Sequence, residues 1–189
     1  MRIIAGRHRG TKLAQPGGAE TRPTGDRVRE SLFNILEGGR FGEVLTGATV
    51  IDAFAGTGAL GLEALSRGSG QATFIERDQA ALSVLRANIA RLGRADDCRI
   101  IASDATSLAR WQGIPASLIF TDAPYGSGDG LGAAARLVDI GAVAAGALII
   151  LETEKSEQPD SAALTAAGLT QMDDRRYGRA RLHFLQSAS

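Results

Sequence analysis

With 189 residues and 21 basic against 21 acidic side chains, the chain has no formal net charge, which argues against a protein that coats nucleic acid through bulk charge. Its length suits one domain with a core that needs no cross-links, and the single cysteine, Cys98, excludes an internal disulfide. No apolar run reaches the roughly 20 residues of a membrane-spanning helix, and no secretory leader follows Met1. We therefore expect a cytoplasmic protein without membrane contact or a metal centre.

The N-terminal segment concentrates positive charge. Seven basic residues stand against three acidic ones in residues 1–30. The patterns RIIAG and TKLA, within residues 2–13, predict two short strands around the basic turn at residues 7–10. Such a basic finger suits phosphate contact beside a binding crevice, and a solvated surface is the alternative interpretation.

After a turn-rich linker at about residues 14–23, apolar positions at helical spacing predict a helix over Asp26–Leu36. Short apolar strands and helical segments then alternate. The strands are predicted at Thr49–Phe54, Ala72–Glu76, Arg99–Ala102, Ser117–Thr121 and Ala147–Glu152, and the helices at Ala59–Ser66, Gln79–Leu92, Thr106–Trp111 and Leu131–Ala144. This alternation predicts an α/β fold with a parallel sheet covered on both faces.

The C-terminal part breaks the alternation. A helical segment, Ser161–Ala167, precedes two extended runs, Leu169–Tyr177 and Arg179–Leu185, which join at Gly178. The join is too short for a crossover helix, so the two runs predict an antiparallel hairpin. This hairpin carries a second group of basic residues, namely Arg175, Arg176, Arg179 and Arg181.

A glycine-rich turn follows the first strand. Gly56, Gly58 and Gly61 satisfy G-x-G-x-x-G, and Glu76 ends the next strand, as a ribose-binding acid does in dinucleotide sites. Asp52, however, stands where a dinucleotide would place its pyrophosphate. A carboxylate there would repel phosphate by about 1 kcal/mol or more and would attract a cationic ligand such as S-adenosylmethionine. The glycines could also serve only a tight turn.

Acidic residues stand at the ends of three consecutive strands. They are Asp52 and Glu76 for the first two strands and Asp104 for the third. The carboxyl ends of parallel strands meet at one edge of a sheet, so the three side chains predict a ligand crevice there. Asp104 is suited to accept a hydrogen bond from an adenine amino group. Alternatively, each acid only caps the helix that follows it.

The fourth strand ends in Thr121-Asp-Ala-Pro-Tyr-Gly126, and at this point the motifs resemble a known family. The glycine turn, the strand-ending acids, the D-A-P-Y segment and the terminal hairpin are similar to class I S-adenosylmethionine-dependent methyltransferases that modify exocyclic or amide nitrogens. The opening RIIAG with Arg22-Pro-Thr24 and Asp26–Asn34 resembles the RsmD-type enzymes, which methylate guanine N2 in bacterial 16S ribosomal RNA. The resemblance covers nearly the whole chain.

The resemblance implies a Rossmann-like sheet of seven strands with a C-terminal antiparallel hairpin. It implies a methyltransferase domain at residues 24–189, with a small basic β-hairpin extension at residues 1–23 that binds RNA. The cofactor is expected to be S-adenosylmethionine. The expected partner is 16S ribosomal RNA, within a small-subunit particle, and the protein is expected to be a monomer that uses no metal.

The resemblance also implies roles for individual residues. Contacts to the cofactor are expected from Asp52, Phe54, Gly56, Gly58, Glu76, Arg77, Asp104, Ala105 and Asp122. The catalytic segment is expected to be Asp122, Ala123, Pro124 and Tyr125. Contacts to RNA are expected from Arg7, Arg9, Lys12, Arg22 and Arg27.

In this interpretation, Asp122 and the Ala123 carbonyl accept N–H bonds from the target amine and aim its lone pair, while Tyr125 stacks on the extruded base. Ala123 departs from the family pattern, which has a proline there. Its carbonyl is unaffected, and Pro124 still restricts Ala123 to an extended conformation. An ordinary strand-ending turn, with Tyr125 as a lid on the core, is the alternative.

Three rival functions stay open from the sequence. A DNA amino-methyltransferase would share the crevice but usually carries a target-recognition insert, for which the chain has little room. A protein-glutamine methyltransferase would share the strand-four motif but would not need an arginine-rich N-terminal finger. A nicotinamide-binding oxidoreductase or a catalytically silent nucleotide-binding module would explain the glycines alone.

Overall fold

The computed structural model describes residues 1–15, 17 and 23–188. Within these ranges the helices are α1 Pro23–Glu37, α2 Ala59–Ser66, α3 Gln79–Leu92, α4 Asp129–Asp139 and α5 Ser161–Ala166. The strands are β1 Thr49–Ala53, β2 Gln71–Glu76, β3 Cys98–Ala102, β4 Ala116–Asp122, β5 Val143–Glu154, β6 Leu169–Tyr177 and β7 Ala180–Ser187. None of the helices in the described ranges is long and apolar enough to cross a membrane.

The strands form one seven-stranded sheet in the order β3-β2-β1-β4-β5-β7-β6. Strands β1 to β5 pair in parallel, and β7 runs antiparallel to both β5 and β6. The predicted α/β fold with a C-terminal antiparallel hairpin is therefore confirmed. The order of the strands reverses between β1 and β4, and a crevice for a ligand is expected at such a switch point.

The sheet divides the core into two layers. Alternate residues of each strand point to opposite faces, so Phe74 and Phe120 pack with α1, α2 and α3, whereas Ile75 and Ile119 pack with α4 and α5. All four of these side chains are almost completely buried. Burial of each contributes about 1.5–3 kcal/mol, which fixes the register of the strands and hence the positions of their ends.

One predicted helix is absent, and another ends earlier than predicted. Residues Thr106–Trp111 form turns and irregular structure, because the Asp104 carboxylate accepts hydrogen bonds from the Thr106 backbone N–H and hydroxyl and closes a local turn. The helix predicted over Leu131–Ala144 ends at Asp139, and β5 begins at Val143. Val143 pairs with Ala116 of β4, and this pairing overrides the helical preference of the neighbouring alanines.

The N-terminal segment lies along α2 and α3. Its two predicted strands are reduced to one antiparallel bridge between Arg2 and Lys12, and Ile3 and Leu13 are buried in the core. Gly6 touches the last turn of α2 so closely that a β-carbon would lie 1.9 Å from a backbone oxygen. This contact requires glycine, whose φ here is +77°.

The tip of the basic finger does not lie beside the crevice, and that expectation is wrong. The Arg7 backbone N–H donates to the Ser66 carbonyl, at the C-terminal end of α2. Because α2 starts at the carboxyl edge of the sheet and its eight residues rise about 10 Å, Arg7 and Arg9 lie near the opposite edge. Arg22 lies outside the described residues. The division into an extension, 1–23, and a main domain, 24–189, stays a prediction.

Candidate active site

A cavity of about 390 Å³ opens at the carboxyl edge of the sheet, and we call it the main cavity. It brings together most of the side chains that the sequence predicted for the site. The predicted residues on its wall are Phe54, Glu76, Arg77, Asp104, Ala105, Asp122, Ala123, Pro124 and Tyr125. They lie at or just after the carboxyl ends of β1, β2, β3 and β4, so the ends of these four strands meet at one cavity.

Phe54 reaches this wall through an unusual backbone conformation. Its φ is 150°, which side-chain-bearing residues rarely adopt. It stands between the end of β1 and the glycine turn, and it lines the main cavity. Strain of this kind is held in place by surrounding structure and occurs mostly at functional sites.

Asp52 does not lie on the wall of the main cavity. Its side chain is only 1% exposed, and Oδ2 accepts a hydrogen bond of 2.9 Å from the backbone N–H of Gly61. Burial raises the pKa of Asp52 to about 7, although the Gly61 hydrogen bond opposes the rise. In the structure, Asp52 therefore holds the first turn of α2 against β1.

Glu76 joins the loops that follow β1 and β2. Its Oε2 accepts a hydrogen bond of 2.8 Å from the backbone N–H of Gly56, and its Oε1 accepts bonds from the N–H groups of Arg77 and Asp78. The N–H of Gly58 donates to the Ala55 carbonyl.

These contacts occupy two of the N–H groups that a phosphate would use. In dinucleotide sites, the pyrophosphate binds to the backbone N–H groups of the glycine turn and of the following helix N-terminus. Here those of Gly56 and Gly61 donate to the carboxylates of Glu76 and Asp52. The glycine turn is thus built as in a nucleotide-binding fold, but two of the N–H donors that could bind phosphate are already used by carboxyl groups of the protein.

Asp104 is fixed by its neighbours. Its Oδ1 accepts hydrogen bonds from the Thr106 N–H and hydroxyl, and its Oδ2 lies 2.6 Å from a guanidinium nitrogen of Arg77. The Thr106 hydrogen bonds, followed by Arg77, hold the pKa of Asp104 below its usual range. Asp104 therefore stays ionised and remains a hydrogen-bond acceptor at neutral pH.

The ionisable side chains on the cavity wall are mostly acidic. They are the carboxyl groups of Glu76, Asp104, Asp122 and Asp129 and the guanidinium of Arg77. Arg77 is paired with Asp104. Such a wall attracts a cationic ligand and repels a phosphate-bearing one.

Glu152 was not among the site residues predicted from the sequence. It lies near the end of β5 and is the direct register partner of Asp122 on β4. Its Oε1 accepts a 2.7 Å hydrogen bond from the Tyr125 hydroxyl. The signal that revealed the other acids, a carboxylate at a strand end, was present here too. The structure thus adds a second carboxyl group and a fixed phenol to the predicted catalytic segment.

Asp122 and Glu152 influence each other's protonation. Asp122 is open to the crevice, yet protein atoms surround the crevice floor, and this burial raises the pKa of Asp122 well above its usual range. The charges of Glu152 and Asp52 raise it further. Burial also raises the pKa of Glu152. Two such neighbouring groups titrate as a pair.

A second cavity of about 180 Å³ lies on the other side of Ala123–Tyr125. Glu152, Thr153 and Glu157 also line it. The segment Ala123–Tyr125 therefore separates the main cavity from a smaller one, and Tyr125, 43% exposed, lines both.

Other reactive groups in the described part of the chain lack the setting of a catalytic site. Within residues 1–15, 17 and 23–188, no cluster of three or more His, Cys, Asp or Glu side chains suits a metal ion. Burial raises the pKa of Cys98 to about 12, so its thiol is protonated. Burial, followed by the charge of Arg181, lowers the pKa of His183 to about 4.

Comparison with known proteins places this geometry in a family. The model of the family described as Conserved hypothetical protein 95 matches residues 1–186. The chain is 44% identical over 154 residues to ribosomal RNA small subunit methyltransferase D of Escherichia coli strain K12, covering 82% of this chain and 75% of that protein.

Solved structures give the same result. The Escherichia coli protein yhhF matches with a TM-score of 0.82 and 38% identity, over 100% of this chain and 98% of that one. Magnesium protoporphyrin IX methyltransferase of Synechocystis PCC 6803, solved with bound SAM, matches with a TM-score of 0.65 and 13% identity, over 91% of this chain and 87% of that one. The latter likeness shows the fold alone. The chain therefore belongs to the Conserved hypothetical protein 95 family, that of the RsmD-type methyltransferases, and has the class I methyltransferase fold.

Proposed function

We propose that the protein transfers a methyl group from S-adenosylmethionine to the exocyclic N2 of a guanine in 16S ribosomal RNA of a small-subunit particle. The relatives' names support ribosomal RNA as the substrate. The observation that carries the cofactor is the use of the Gly56 and Gly61 N–H groups by carboxylates. A sulfonium-bearing nucleoside needs no phosphate donors and is favoured by the acidic wall.

The residues of the main cavity fit this cofactor, which would supply an electrophilic methyl carbon when bound. Glu76 lies at the end of β2, where a ribose diol can bind to its carboxylate. Asp104 and Ala105 would contact the adenine. The Asp104 carboxylate already has partners, but an ionised carboxylate accepts more than one hydrogen bond per oxygen. Phe54 adds an apolar wall. Asp52 would act through the glycine turn that it holds.

The catalytic segment would orient the target base. The N2 of guanine is a poor nucleophile because its lone pair is delocalised into the ring. The Asp122 carboxylate and the Ala123 carbonyl would accept hydrogen bonds from its two N–H groups and aim the lone pair. Such positioning lowers the activation barrier by several kcal/mol. Asp122 or water would then take the proton that the methylated nitrogen loses.

Tyr125 would bind the face of the base. Its ring is exposed at the boundary between the two cavities, and the hydrogen bond to Glu152 fixes its orientation. Stacking of a base on an aromatic ring contributes roughly 1–3 kcal/mol. A flipped guanine would thus be held by an edge contact and a face contact at once.

Two measurements test this proposal. Isothermal titration should show binding of S-adenosylhomocysteine and no binding of NADH. Mass spectrometry of ribosomal RNA from cells that lack the protein should show one N2-methylguanine lost from 16S RNA and restored by the wild-type gene. Tight binding of NADH alone, or an unchanged set of methylated nucleosides, would contradict the proposal.

The pH dependence of turnover should report the coupling between Asp122 and Glu152. Because Asp122 accepts hydrogen bonds best when ionised, single-turnover rates should rise with pH as Asp122 loses its proton. Glu152→Gln removes a charge that raises the pKa of Asp122, so this rise should move to lower pH. Glu154→Gln, on the same strand but more distant from Asp122, is the control and should leave the profile in place. If Glu152→Gln left the acid side of the pH–rate profile at the same pH, this result would contradict the coupling between Asp122 and Glu152.

A further inference from the structure

The hairpin of β6 and β7 forms a basic groove next to the site. This groove, about 790 Å³ in volume, lies between the end of β5 and the hairpin turn, and we call it the hairpin groove. Its charged lining consists of Lys155, Arg176, Arg179, Arg181 and Glu154. With four cations against one carboxylate, the lining of the hairpin groove is basic, whereas the wall of the main cavity is acidic.

The cations of the hairpin groove differ in accessibility. Arg181 is buried, and its Nε donates a 2.8 Å hydrogen bond to Asp174. Arg179 lies 3.5 Å from Glu154, but its side chain is 78% exposed. Lys155 and Arg176 are exposed as well. Three cationic side chains therefore face solvent in one groove.

Two of these cations, Arg176 and Arg181, are placed unfavourably in the protein alone. Arg176 and Arg181 are direct register partners on antiparallel strands, so their side chains lie on the same face of the sheet. Like charges at directly opposite positions destabilise a strand pair. Asp174 compensates Arg181, and a bound polyanion would compensate the exposed cations.

The hairpin groove continues from the second cavity. Gln158 lines both, and Arg179 is near enough to Tyr125 to lower the pKa of its phenol, although burial and Glu152 dominate and raise it overall. A polymer whose base stacks on Tyr125 would pass directly into this groove. The tip of the N-terminal finger, by contrast, is held at the far end of α2.

We propose that the hairpin groove binds the phosphate backbone of the RNA strand that carries the target nucleotide, through Lys155, Arg176 and Arg179. This inference rests on the proposed function for the identity of the polyanion. Exposed guanidinium groups suit such contacts because they bind phosphate oxygens with two parallel N–H bonds.

Filter binding of in vitro transcribed 16S ribosomal RNA over a range of KCl concentrations tests the groove. The double variant R176Q/R179Q should bind about tenfold more weakly at low salt. The plot of log affinity against log salt should become less steep by about 1.4 to 1.8, the value for two lost phosphate contacts. Affinity for S-adenosylhomocysteine should not change. The lysine variant R176K/R179K should restore most of the salt dependence.

The matched control is R86Q/R110Q. Both arginines are exposed, and neither makes an ion pair within the described ranges. They lie on α3 and after β3, in the other half of the sheet.

The outcomes separate the two proposals. If the wild type methylates 16S RNA and R176Q/R179Q has the salt dependence of the control, the groove inference is overturned and the proposed function stands. If the wild type methylates neither free 16S RNA nor 16S RNA in small-subunit particles, yet R176Q/R179Q still loses salt-dependent RNA binding, the proposed function is overturned and the groove remains an RNA site.

Discussion

Replacing Asp122 with alanine is expected to lower the turnover number about a hundredfold, since it removes an acceptor that positions the target nitrogen. The side chain lies at the end of β4, open to the main cavity and in register with Glu152. Loss of one positioned acceptor leaves the base free to rotate away from the line of attack. Single-turnover methylation of 16S RNA measures the effect, and titration with S-adenosylhomocysteine measures cofactor affinity.

Two comparisons make the Asp122 result specific. Asp129→Asn changes another carboxyl group on the same wall, at the first residue of α4, and should alter turnover little. Asp122→Asn keeps one carbonyl acceptor and should fall between the wild type and Asp122→Ala. If Asp122→Ala abolished binding of S-adenosylhomocysteine, this residue would serve the cofactor rather than the base.

The largest effect on stability is expected at Glu63. This side chain is 0% exposed and lies between the buried guanidinium groups of Arg67, at 2.8 Å, and Arg29, at 3.9 Å. Its oxygens also accept the backbone N–H groups of Ile4 and Ala5. Glu63→Ala leaves buried cations and buried N–H groups uncompensated, so the free energy of unfolding should fall by about 3–5 kcal/mol.

Urea denaturation measures this loss, and Glu37→Ala is its control. Glu37 lies 2.8 Å from the same Arg67, but its side chain is 49% exposed. Ion pairs with an exposed partner contribute about 0–1 kcal/mol, so this variant should stay close to the wild type. Equal losses for the two variants would show that the Glu63 network does not hold the N-terminal segment in place.

Chemical signals mark both ends of helix α3, whose predicted bounds match the observed ones. α3 starts after Asp78, which accepts the Ala81 N–H, and ends at Gly93 in a left-handed conformation. The beginning of β5 carries no such signal. Its alanines suit either structure, and the strand begins there because Val143 pairs with Ala116 of β4. Long-range pairing of this kind is not visible in a local pattern.

The site was predictable to the level of strand ends but not of side-chain direction. Carboxyl groups after successive strands mark one edge of a parallel sheet, and Glu76, Asp104 and Asp122 do meet there. Asp52 turns inward because the Gly61 N–H needs an acceptor at the start of α2. The direction of the basic finger likewise depends on the buried carboxylate of Glu63, which is far from it in sequence.

The carboxyl groups of Glu76 and Asp52, which bind the N–H groups of the glycine turn, also influence which other nucleotides can compete for the main cavity. ATP and the nicotinamide coenzymes are abundant in cells, and most folds of this architecture bind them through the donors that Glu76 and Asp52 occupy here. Nucleosides without phosphate are therefore the better starting point for inhibitors of this enzyme. Adding a phosphate to such a compound should weaken it, contrary to experience with kinases and dehydrogenases.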